Sequence, residues 1–125
     1  MGTSATSTSS TTFVNSQEVA SITPASTSNK VLVLVDLPLY KGGNQDTNYG
    51  WWTGLKRGST ELHSVWNGAQ LVSPGGYAQA WHSSFSYLDS PSSTSSLTYQ
   101  VVLKTDGSTM QINGGGSITL MEIAG

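Results

Sequence analysis

Short stretches of alternating apolar and polar residues follow one another along most of this chain. A period of two residues is typical of β-strands, and no stretch has the period of about 3.6 residues that marks an amphipathic helix. The predicted strands are Thr12–Val14, Glu18–Thr23, Lys30–Tyr40, Tyr49–Lys56, Thr60–Trp66, Gln79–Leu88, Ser96–Thr105, Thr109–Asn113 and Ser117–Ile123. The pattern therefore predicts an all-β protein, an antiparallel sandwich, jelly roll or small barrel of about eight to ten strands.

Turn residues separate several of these strands. Asp106-Gly107 predicts a two-residue hairpin between the strands on either side of it. Asn67-Gly68, Ser73–Gly76 and Asn113–Gly116 predict further turns because Gly, Asn and Pro favour turn conformations. The segment Met1–Thr12 is of low complexity and rich in Ser and Thr, so we expect a polar arm at residues 1–12 and one domain at residues 13–125.

The alternation also assigns faces to the strands. On two strands the large apolar residues share one side, which predicts that this side faces the core and the other side faces water. They are Leu97, Tyr99, Val101 and Leu103 on one strand, and Trp81, Phe85 and Tyr87 on the other. By contrast, Val31–Val35 and Ile118–Ile123 are apolar on both sides.

A strand that is apolar on both faces needs a second cover, and we expect a neighbouring subunit to supply it. The alternative is a long loop of the same chain. The predicted subunit interface consists of Val31, Val33, Val35, Ile118, Leu120 and Glu122. A buried, ionised Glu122 would need a partner such as Lys56, Arg57 or Lys104, whereas a Glu122 at the end of its strand would reach water.

Composition and charge exclude several classes of function. The net charge is −2 with only five Lys and Arg residues, which argues against binding to nucleic acid. No stretch approaches the roughly 20 apolar residues of a membrane-spanning helix, so no membrane partner is expected. Cysteine is absent, so the fold uses no disulfide and no thiolate metal site.

Candidate catalytic chemistry is sparse. The chain has no nucleophile elbow, phosphate-binding glycine loop or metal-binding His pair. We expect His63 and His82 on polar strand faces. Calcium would need several carboxylates in one loop, and the acidic candidates show no local Asp-x-Asp pattern; they are Asp36, Asp46, Asp89 and Asp106. The sequence predicts a non-enzymatic protein without cofactor or metal, with calcium left open as an alternative.

Aromatic residues offer a candidate binding surface. Trp51 and Trp52 are adjacent, so on one strand they point to opposite faces, and one of them must face outward. Tryptophan anchors protein interfaces and stacks on sugars. The candidate outward aromatics are Trp51, Trp52 and Trp66, unless a loop of the same chain covers them.

Three passages together resemble a family of phage proteins. Thr12–Val14 followed by Val19–Val33, then Leu97–Lys104, then the terminal Ser117–Ile123 are similar to jelly-roll modules of tailed-bacteriophage virion proteins. Those modules belong with the trimeric complement-head-like and tumour-necrosis-factor-like folds. The resemblance implies a compact homotrimer with apolar strand faces around a threefold axis, located on the exterior of the phage particle.

Only the short arm Met1–Thr12 precedes the fold, and no fibre shaft is visible. This favours a free-standing trimer, a capsid decoration or cement protein whose partners are its own copies and the phage capsid or tail proteins. The alternative is a tail-fibre or tail-tip head that recognises host-surface carbohydrate, with Lys41–Asn48 and Ser90–Ser95 as further binding loops.

Overall fold

The computed structural model describes residues 4–41, 49–70, 79–106 and 109–125. Within these residues the chain forms two antiparallel sheets and no helix, which confirms the all-β prediction. The strands are β1 (Thr6–Thr8), β2 (Val14–Ile22), β3 (Lys30–Lys41), β4 (Tyr49–Arg57), β5 (Thr60–Gln70), β6 (Gln79–Asp89), β7 (Leu97–Thr105), β8 (Met110–Ile112) and β9 (Ser117–Ile123).

The order of the strands is that of a jelly roll. One sheet, here called the β3 sheet, has the order β1-β8-β3-β6 with β9 also paired to β3, and the other, the β7 sheet, has the order β2-β7-β4-β5. Ile112 of β8 pairs with Leu39, and Ser117 of β9 pairs with Asp36, so β8 and β9 together form one interrupted strand along β3. Counted as one, they make two packed four-stranded sheets joined by jelly-roll connections.

The core lies between the two sheets. Alternate residues of β3, from Val31 to Leu39, point inward and are almost completely buried. They meet Tyr99, Val101 and Leu103 from β7, which are fully buried as the alternation predicts. The predicted inward side of β6 also packs against this core, and the opposite side of that strand, including Ser84, is exposed.

Two predicted strands near the N-terminus are one strand. Of the predicted strands Thr12–Val14 and Glu18–Thr23, Val14 and all but the last residue of the second lie in β2, which pairs with β7 on both sides of a register shift between Asn15 and Val19. A β-bulge of this kind inserts extra residues without ending the strand, and it breaks the alternation that sequence analysis relies on.

The segment predicted as a polar arm contributes a strand to the fold. Thr6–Thr8 forms β1, which pairs with β8 of the same chain. Gln17 holds this edge together, since its backbone N–H donates to Thr6 Oγ1 over 3.1 Å and its side-chain amide donates to the Ile112 carbonyl over 3.2 Å.

The turn predictions have mixed outcomes. Asn113–Gly116 does separate β8 from β9. Asn67-Gly68 lies within β5, so the turn predicted there is wrong. The hairpin predicted at Asp106-Gly107 is also wrong, because β7 and β8 belong to different sheets and do not pair. Ser73–Gly76 lies outside the described residues.

Candidate assembly surface and aromatic platform

One end of the outer face of the β3 sheet is apolar. Leu32 lies between Met121 of β9 and Leu88 of β6, and Leu34 and Ile123 continue the same face. These five residues are named the apolar patch. Among the described residues, the only exposed large hydrophobic side chains outside it are Val19 and Trp66. Leu88 is 50% exposed and Met121 47% exposed, so the patch is open to solvent.

The other end of this face is polar. Asp36 lies between Ser117 of β9 and Ser84 of β6, and one row further along Leu34 lies between Thr119 and Ser86. These side chains line an open depression of about 370 Å³. The outer face of the β3 sheet is therefore amphipathic along its length, with hydroxyl groups and one carboxylate beside the apolar patch.

The three valines assigned to a subunit interface lie in the chain's own core. Val31 and Val33 are completely buried and Val35 is 4% exposed. Their side chains offer no surface to a second subunit, so that part of the predicted interface is corrected. The strand is apolar on both sides as its sequence indicates, but the side that faces away from the core is the one that carries Leu32 and Leu34.

The β9 residues of the predicted interface are divided between the core edge and solvent. Ile118 and Leu120 are half-buried and pack against the core beside Val35 and Val33. Glu122 is exposed, and it accepts hydrogen bonds from the Asn29 side-chain amide at 3.0 Å and from the backbone N–H of Ala25.

These two hydrogen bonds lower the pKa of Glu122 below its usual range, with the Asn29 contact contributing most. The charge is therefore stabilised by amide groups of the loop that follows β2. The basic residues proposed as its partners are Lys56, Arg57 and Lys104, and none of them makes this contact.

The two adjacent tryptophans point to opposite faces, as their spacing predicts. Trp51 is 2% exposed and stacks on Trp81 across the sandwich, with ring centroids 4.8 Å apart. An outward binding role for Trp51 is therefore ruled out. Trp52 lies on the outer face of the β7 sheet, opposite Trp66 of β5, whose side chain is 61% exposed.

Trp52 and Trp66 form an aromatic platform with Phe13 and Lys104. The Lys104 ammonium lies 4.6 Å from the Phe13 ring centre and 5.3 Å from that of Trp52, which is the geometry of a cation–π contact. Gly50 provides the room for both indoles, because a Cβ there would come within 2.9 Å of the Trp52 ring and 3.1 Å of Trp66 Nε1.

A buried polar cluster joins the two sheets near Arg57, at the opposite end of β4 from Trp52. Asp89 of β6, 5% exposed, pairs with the Arg57 guanidinium of β4 and accepts a 2.6 Å hydrogen bond from the hydroxyl of Tyr99. Burial, followed by the hydrogen bond to Asp89, raises the pKa of Tyr99. Asp89 is thus a buried structural residue at the end of β6.

A second buried carboxylate has one oxygen without a hydrogen-bond partner among the described residues. Glu18 lies in the β2 bulge, is 4% exposed, and its Oε1 makes no hydrogen bond. Loss of solvation raises its pKa. Gly116 leaves space for this side chain, since a Cβ there would lie 3.0 Å from both Glu18 Oε1 and the Asp36 carbonyl oxygen. A Glu in a polar stretch looks solvent-exposed, so sequence analysis missed it.

The two histidines have different surroundings. His82 is exposed on the outer face of β6, as predicted. His63 is half-buried, with ring centroids 5.6 Å from Phe85 and 5.4 Å from Tyr87, so a polar strand face is the wrong prediction for it. Among the described residues, neither histidine belongs to a group that could hold a metal ion.

Over residues 4–41, 49–70, 79–106 and 109–125, no group of three or more His, Cys, Asp or Glu side chains is placed to hold a metal ion. The same residues include no helix long and apolar enough to cross a membrane. No protein-family model matches the chain, and the search of curated proteins finds no match. The apolar patch and the aromatic platform are therefore the features from which a function can be inferred.

Proposed function

We propose that this protein is a non-enzymatic structural component of a bacteriophage virion, a homotrimeric decoration or cement protein on the particle exterior. The apolar patch on the β3 sheet is the observation that carries the proposal. Large contiguous apolar patches on the surface of a protein commonly mark sites of interaction. The occupant we assign to it is a second copy of the same chain.

The make-up of the patch supports association between copies. Leu88, Met121, Leu34 and Ile123 are between 37% and 50% exposed, so each still has much apolar surface to bury. Complete burial of a side chain of this size is worth about 1.5–3 kcal/mol, so completing the burial of several adjacent ones favours assembly. The hydroxyl groups and Asp36 beside the patch provide the polar rim that interfaces commonly have.

The number of subunits and the location rest on the family resemblance. Two of the three passages that carry it, Val19–Val33 and Ser117–Ile123, include β3 residues and β9, which form most of the apolar patch. The jelly-roll strand order is the fold that this resemblance implies. A closed trimer would bury the patch of each copy and present the remaining surfaces to the particle.

The mechanism is adhesion. A preformed trimer offers three equivalent contact surfaces, and weak contacts made together to neighbouring capsid subunits combine through a high effective concentration. No chemical step is required.

Quantitative mass spectrometry of purified particles of the encoding phage tests this function. A decoration protein is expected at hundreds of copies per particle, released together with the capsid fraction when the tails are separated. A handful of copies in the tail fraction would contradict decoration, and absence from the particle would contradict the virion role altogether.

A further inference from the structure

The aromatic platform lies on the β7 sheet, on the opposite side of the sandwich from the apolar patch. Trp66 is the most exposed large hydrophobic residue in the described part of the chain, at 61%. It is the cross-strand partner of Trp52, and such partners have Cβ atoms about 5 Å apart on the same face. Two indoles are therefore side by side on one surface.

Two glycines and Lys104 determine where the rings of the platform lie. Gly50 and Gly54 lie on this face of β4, and a side chain at either position would crowd the aromatic residues. A Cβ at Gly54 would lie 3.2 Å from the Phe13 ring, and one at Gly50 would lie 2.9 Å from the Trp52 ring. The Lys104 ammonium contacts Phe13 and Trp52 from above the sheet. These contacts hold the platform in place before any ligand arrives.

Hydrogen-bond donors and acceptors border the aromatic rings. Asp106 is exposed at the edge of the platform, where its Oδ1 accepts a 2.6 Å hydrogen bond from the Gly50 N–H. The Lys104 ammonium supplies donors, and the exposed Ser64 lies opposite Gly54 on the same face. An aromatic surface bordered by a carboxylate, an ammonium and a hydroxyl suits a ligand with an apolar face and polar edges.

The size and charge of the surface narrow the ligand class. The platform consists of three rings, whereas a stable protein partner buries about 800 Å² on each side. Nucleic acid is disfavoured because Asp106 adjoins the rings and the net charge of the chain is −2. We infer that the platform is a carbohydrate-binding site, on which a pyranose ring stacks its C–H face against Trp66 and Trp52 while Lys104 and Asp106 bind its hydroxyl groups.

This inference goes beyond the proposed structural function and does not depend on it. It gives the protein a surface that contacts glycans, on a sheet that the proposed self-association leaves free. Oligomeric mass reports on the apolar patch and glycan binding reports on the platform, so failure of one proposal is distinguishable from failure of the other.

The test applies the fluorescently labelled full-length protein to a microarray of bacterial surface polysaccharides and lipopolysaccharide glycans, with a thymidine oligonucleotide spotted beside them. We expect binding to a subset of the glycans and none to the oligonucleotide. Trp66→Ala should weaken the apparent affinity for those glycans by about tenfold or more, since one aromatic residue often dominates a small contact. Trp66→Phe should restore part of it.

Val19→Ala is the matched control, because Val19 is also an exposed apolar residue on the outer face of the β7 sheet. Val19 pairs with Gln100, which lies four residues before Lys104 in β7. Asp106→Asn keeps the oxygen that accepts from Gly50 and should still weaken glycan binding. Binding of no glycan, equal binding by wild type and Trp66→Ala, or binding of the oligonucleotide alone would each overturn the inference.

Discussion

The hydroxyl of Tyr99 donates a 2.6 Å hydrogen bond to Oδ2 of Asp89 and so joins the two sheets of the sandwich. Tyr99 is completely buried in β7 and Asp89 is 5% exposed in β6. Arg57 of β4 pairs with the same carboxylate oxygen, and that hydrogen bond raises the pKa of the guanidinium further above its ordinary value. A buried charge of this kind is tolerated because it is both paired and hydrogen-bonded.

Removal of either side of this contact should destabilise the fold to different degrees. Tyr99→Phe loses one hydrogen bond to a charged group and should lower the free energy of unfolding by about 1.5–3 kcal/mol. Asp89→Ala should cost about 3–5 kcal/mol, because it leaves the Arg57 charge and the Tyr99 hydroxyl without their partner. Urea unfolding followed by tryptophan fluorescence measures both, with Ser90→Ala, an exposed neighbour, as the control. Equal stability of Asp89→Ala and Ser90→Ala would contradict the structural role.

Glu18 should contribute more to the stability of the fold in acid than at neutral pH. Burial raises its pKa above the ordinary value of 4.5. The fold therefore favours the protonated form, so the contribution of Glu18 is most favourable below about pH 4.5 and is lost as the pH rises through the raised pKa. Glu18→Gln should raise the free energy of unfolding at neutral pH by about 1 kcal/mol, because it removes a poorly solvated charge whose Oε1 accepts no hydrogen bond.

Glu122 provides the matched comparison because its pKa is lowered. Its contribution is present above the unfolded-state pKa and is lost as the pH falls through the folded-state value, which is the opposite sign. Melting temperatures of the wild type, Glu18→Gln and Glu122→Gln between pH 3 and pH 8 separate the two effects. Lower stability of Glu18→Gln than wild type at neutral pH would show that the carboxylate has a partner.

Gly54 should tolerate no side chain. A Cβ at this position would lie 2.8 Å from the backbone oxygen of His63 and 3.1 Å from Val102, and backbone cannot rotate away as a flexible side chain can. Gly54→Ala should lower the free energy of unfolding by about 1–3 kcal/mol, the usual cost of overpacking. Ser64→Ala, at the cross-strand position on the same face, should have little effect. Thermal unfolding followed by circular dichroism measures both, and a Gly54→Ala protein as stable as wild type would contradict the close packing.

The sequence predicted the strands well where alternation was regular, and it failed where a decision needed tertiary information. In Val31–Val35 both sides are apolar, so alternation separates two faces but cannot say which one meets the other sheet. The hairpin at Asp106-Gly107 failed because turn chemistry is local, whereas the choice of sheet depends on the whole topology.

The candidate site shows the same division. That Trp51 and Trp52 face opposite ways follows from strand geometry alone. Which of them is buried depends on Trp81, which lies 30 residues away in the other sheet. The contact of Tyr99 with Asp89, and the isolation of Glu18 in a bulge, depend on side-chain positions that no local pattern encodes.

The proposed association of copies of this chain through the apolar patch is tested most directly by the mass of the protein in solution. Light scattering coupled to size-exclusion chromatography should give three times the 13.1 kDa mass of the chain for the wild type. Leu88→Asp, in the patch, should reduce the mass to that of one chain, and Val19→Asp, equally exposed on the other sheet, should leave the trimer intact. A single-chain mass for the wild type at all concentrations, or equal dissociation by both substitutions, would contradict self-association through the apolar patch.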